Sequence, residues 1–91
     1  MKILEKLHAL ALGQQTSDIV VTSTGCTRSE HFKVEINEQI QPGTIAVYRL
    51  KPDYCRRAPM PLKLTLKLEV PIDTTRDWVI MNETKAQALQ R

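Results

Sequence analysis

Aromatic side chains are scarce: one Trp, two Tyr and one Phe in 91 residues. That scarcity argues against a base-stacking platform or an aromatic ligand cage. Three glycines leave little room for a loop that cradles phosphates. No GxSxG, HExxH or CxxC occurs, so no hydrolase, zinc-protease or dithiol redox motif is present. No apolar run approaches the roughly 20 residues of a membrane-spanning helix. The opening "MKILEKLHALALG" begins like an export signal, but Glu5, Lys6 and His8 interrupt the apolar stretch that a signal keeps continuous. An export signal, for an exported chain, is therefore expected upstream of this sequence.

What is present is ordinary globular composition, with 42% hydrophobic and 25% charged residues. The length suits one small domain, spanning 1–91. Such a chain buries only about 60–65% of its unfolded surface, so its core is small.

Strand patterns dominate. "DIVVTS" at 18–23 is β-branched. "HFKVEIN" alternates, with Phe32, Val34 and Ile36 on one face. "QPG" at 41–43 reads as a type II turn with Gly43 in the left-handed position, leading into a third strand, "TIAVYRLK". "LKLTLKLEV" at 62–70 keeps period two without a break, and "WVIMN" reads as a short fifth strand. At the N-terminus, Ile3, Leu7, Leu10 and Ala11 follow helical spacing, with Gly13 as a stop, so a helix is expected over 2–12. "ETKAQALQ" contains good helix formers, which suggests a second helix over 83–90. The expected fold is mainly β: a small antiparallel sandwich or curved sheet of about five strands in 18–82 with an N-terminal helix. A two-layer α+β arrangement is the alternative.

Cys26 and Cys55 stand 29 positions apart, each in a turn region beside a strand. Two cysteines in a small β domain suit one disulfide, which would close a loop contributing about 3.5 kcal/mol by chain entropy. The bond would imply a periplasmic or secreted protein; free thiols would suit the cytoplasm. A metal site would need more ligands than Cys26, Cys55 and His31 supply, and none is expected. Cofactors are likewise not expected. A Cys–His nucleophile pair is a cheap coincidence in this composition, so no catalytic residue is assigned and no enzyme activity is expected.

Charge is uneven. The net charge is +3, with −1 in residues 1–45 and +4 in residues 46–91. Arg49, Lys51, Arg56, Arg57, Lys63 and Lys67 cluster against Asp53 alone. At the centre of this cluster, "PDYCRRAPMP" (52–61) holds three prolines, which fix their own φ and push the preceding residues toward extended backbone. A stiff loop displaying two arginines suits recognition, because less entropy is lost on binding. The expected function is a small non-catalytic binding domain whose six basic residues face an acidic protein or another anionic surface. Two alternatives use the same region. One is a protease-inhibitor-like domain presenting the Arg57–Ala58 bond; the other is a weak nucleic-acid binder. Helix 2–12 or a strand edge could also pair two copies.

Overall fold

The structure, a computed structural model, describes residues 2–83. The expected helix over 83–90 lies almost entirely outside them.

Among the described residues, seven strands form two sheets. In chain order they are β1 (Ile3–Leu4), β2 (Ala9–Leu12), β3 (Thr16–Ser23), β4 (Phe32–Asn37), β5 (Gly43–Arg49), β6 (Met60–Lys67) and β7 (Trp78–Ile80). One sheet has the order β2–β3–β6 and is antiparallel throughout. The other is built on β5, with β4 antiparallel along one side. On its other side β1 pairs antiparallel with the end of β5, and β7 pairs parallel with its start. The mainly β expectation is met, with two more strands than the five read from the sequence.

The N-terminal helix is not formed. Residues 3–12 are instead two short strands that step from one sheet to the other. Glu5 N–H donates to Val47 C=O in the β5 sheet, and His8 N–H donates to Val20 C=O in the β3 sheet. Leu7, at the step, is fully buried in the shared core. A two-residue strand, a break and a four-residue strand place Ile3, Leu7 and Leu10 at intervals that imitate a helical stripe. The correction also removes the two-layer α+β alternative built on that helix, and the pairing of copies through helix 2–12.

The core lies between the sheets. Ile19, Val21 and Leu66 from one layer meet Phe32 and Val47 from the other around Leu7. A second cluster, Ile45, Leu68 and Ile72, fills the far end, with Trp78 against it. Period two puts these residues inward and leaves Asp18, Lys63, Thr65 and Lys67 outward. β4 and β5 form an antiparallel hairpin, with Asn37 opposite Thr44, so the connection through residues 38–42 is longer than the two-residue turn read from "QPG". Gly43, however, is not left-handed as a type II turn requires; Gly25 is the glycine at positive φ. Gly43 opens β5, where the Trp78 ring lies so close that an added Cβ would stand 2.5 Å from it.

Candidate functional site

The end of the molecule where β3 leaves its sheet and β6 enters holds both cysteine loops. Ser23 is paired with Met60, so segments 24–28 and 50–59 emerge side by side. Cys26 and Cys55 are disulfide-bonded, with a Cα separation of 5.7 Å. Neither is left as a free thiol, which removes them as metal ligands or nucleophiles in the bonded protein.

Asp53 organises the junction. Its Oδ2 accepts from the backbone N–H of Thr24 (3.0 Å) and Cys26 (3.0 Å), and from the hydroxyls of Thr27 (2.6 Å) and Ser23 (3.3 Å). Its Oδ1 accepts from the N–H of Cys55 at 3.0 Å, an Asx turn inside the loop itself. The Thr27 hydroxyl, followed by the backbone donors of Cys55, Thr24 and Cys26, holds this carboxyl well below the usual carboxylate range. One carboxylate thus ties the 24–27 segment to the 53–55 segment alongside the disulfide. Arg57 N–H adds a bond to Thr24 C=O at 3.0 Å.

Gly25 makes room for this arrangement. Its φ is 120°, and an added Cβ would meet Arg57 Cδ at 3.1 Å and Cβ of Cys55 at 3.3 Å. The stem of Arg57 therefore lies across Gly25 rather than standing away from the surface.

The six basic residues named from the sequence do not form one patch. Arg49 turns inward, opposite Phe32. Its guanidinium makes a two-pronged pair with Glu5 (3.0 and 2.8 Å), donates to Thr27 Oγ1 and Thr22 C=O, and stacks over the Phe32 ring. With side-chain exposures of 12% and 14%, Arg49 and Glu5 are a structural pair. Thr27 joins this pair to Asp53, because its hydroxyl donates to one and accepts from the other. Lys63 and Lys67 lie on the outer face of the β2–β3–β6 sheet, Lys63 standing 4.0 Å from Asp18. β5 and β6 belong to different sheets, so their basic residues are not neighbours across a ladder.

Lys51, Arg56 and Arg57 remain together, exposed on the clamped loop. Arg28, two residues past Cys26, is also exposed at this end; it stands outside the basic run, so the sequence pattern does not mark it. Tyr54 belongs to the same loop. At 83% exposure it is the most exposed large hydrophobic side chain among the described residues. Nor does the basic pattern mark Asp53; its signal in the sequence is "PD" immediately before Tyr54 and the half-cystine. Asp73, in contrast, has only a local turn role, accepting from Thr75 N–H at 2.9 Å.

No protein-family model, curated protein or solved structure matches the chain.

Proposed function

We propose that the protein is a small non-catalytic binding domain that uses the clamped 52–57 loop to recognise an acidic surface on a partner protein. The observation that carries this reading is the exposed Tyr54 on a segment anchored by a disulfide and by five donors to Asp53. Exposing an aromatic ring costs solvation, and clamping the backbone beneath it costs entropy. Both are repaid when a partner covers the ring. Tyrosine and arginine are among the side chains most enriched at binding hot spots. Here Lys51, Arg56 and Arg57 flank the tyrosine along the loop, and Arg28 comes from the segment bridged to it. The basic rim sets the sign of the partner. The inhibitor-like alternative is less favoured, because Arg57 lies along Gly25 and its N–H is bonded to Thr24.

A photoreactive side chain at the exposed Ala58 position, introduced in the native cells, tests the proposal. The expected result is a discrete crosslinked product that disappears with Tyr54→Ala or with Arg56→Glu and Arg57→Glu together, while Lys6→Gln, at an exposed position away from the loop, leaves it unchanged. A product unaffected by all the loop variants would overturn the reading.

A further inference from the structure

The two long sides of the molecule differ. On one, the chain itself closes the gap between the sheets, because residues 3–12 step from β5 to β3. On the other, β4 ends one sheet and β6 ends the other, and among the described residues neither has a further strand beside it. The turn Ser29–His31 lies against β6 at the disulfide end of this side. Between the two edges the inward apolar residues are incompletely covered: Val34 and Ile36 on β4, and Leu62 and Leu64 on β6, are only half-buried. At the far end the opening continues into a depression of about 370 Å³ lined by Ile36–Gln39, Val70 and Pro71. Val70 is 49% exposed there.

The β6 edge has free backbone groups at known positions. Leu68 N–H donates to Gln15 C=O, so residues of the same parity on β6 face β3. Lys63, Thr65 and Lys67 therefore turn their N–H and C=O groups to the open side. Pro61 has no N–H, which ends the usable edge at its start.

We propose that the β6 edge accepts an extended acidic–apolar segment of a partner protein as an added strand. Such a strand would pair with Lys63, Thr65 and Lys67 and send its apolar residues toward Leu62, Leu64 and Leu66. Charge selects the occupant. In an antiparallel pairing of two copies centred on Thr65, Lys63 of one copy stands opposite Lys67 of the other, twice, and like charges in that position repel. An incoming strand with acidic residues four apart meets both lysines favourably. Asp18, one strand inward, partly offsets Lys63; Glu35 is already engaged by Lys2 and Lys33. This site is separate from the Tyr54 loop and stands without it.

The probe is the peptide Val-Glu-Val-Thr-Val-Glu-Val, with blocked ends, titrated into the oxidised full chain and followed by amide NMR. The expected result is saturable shifts and new exchange protection at the Lys63, Thr65 and Lys67 amides. The same peptide with Lys for Glu should bind about tenfold more weakly. The double variant K63E/K67E should reverse that preference. The single variant K67E should dimerise by light scattering, because in the same register Lys63 of each copy then faces the introduced carboxylate of the other. Equal binding of both peptides, or no binding of either at millimolar concentration, would overturn the proposal. So would Lys63, Thr65 and Lys67 amides already protected in the chain alone, or a wild-type dimer paired through β6.

Discussion

The side chain of Asn82 and the backbone of Val47 exchange two hydrogen bonds, as two strand residues would. Val47 N–H donates to Asn82 Oδ1 at 2.8 Å, and Asn82 Nδ2 donates to Val47 C=O at 2.7 Å and to Glu5 C=O at 2.6 Å. Asn82 is 3% exposed. It fills the gap on the edge of β5 between the β1 and β7 ladders, beside the backbone bond from Glu5 N–H to Val47 C=O.

Asn82→Ala is therefore expected to strand a buried N–H and to cost about 2–4 kcal/mol. Asn82→Asp should cost more, since a carboxylate oxygen would then face two carbonyls. Chemical denaturation of both variants checks the order; Asn82→Asp matching wild type would refute the role.

Asp53 predicts a pH dependence. Its carboxyl is held below its unfolded value by the Thr27 hydroxyl and three backbone donors. A depressed folded pKa means that the charged form is favoured in the native state. That stabilisation is complete above the unfolded pKa of about 3.9 and is lost as pH falls below it toward the folded value. Melting temperature in wild type should accordingly drop more steeply below about pH 4 than in Asp53→Asn, which starts lower at neutral pH. Parallel acid profiles for the two proteins would contradict the assignment.

Reducing the Cys26–Cys55 bond should lower the melting temperature and loosen residues 52–57 before the strands. The chain-entropy contribution of a loop this long is about 3.5 kcal/mol. Hydrogen exchange with and without reductant reads the effect segment by segment. Uniform loosening across β3 and β5 would show that the bond holds the whole domain rather than the loop.

Two glycines are fixed by different constraints. Gly25→Ala meets both a positive φ and the Arg57 stem, at a cost of about 1–3 kcal/mol. Gly43→Ala drives a Cβ into the Trp78 ring and should cost a similar amount, about 1–3 kcal/mol. In Gly43→Ala, Trp78→Leu should restore part of the loss; no recovery would show that the ring contact is not the reason.

Some elements are legible in the sequence because one rule governs them. β4 and β6 bury one face each, so period two appears without interference, and "QPG" marks the hairpin. The step at residues 3–12 is illegible because a strand that changes sheets loses its period at the crossing, and Leu7 there supplies a helical interval. Arg49 was misplaced for a related reason. Charged residues in strands usually face water, but Glu5 from the crossing segment meets Arg49 between the layers. Nothing in the local pattern around residue 49 announces a partner 44 positions away. The loop's stiffness is legible from its prolines and Cys55. The Asp53 clamp is not, because four of its five donors come from residues 23–27.

Recognition through Tyr54 and its neighbouring arginines requires a loop that is rigid before any partner arrives. Backbone order parameters of the oxidised protein test it directly. Values near 0.85 are predicted for residues 53–57, as in a rigid backbone. Values below about 0.6 with the disulfide intact would contradict it.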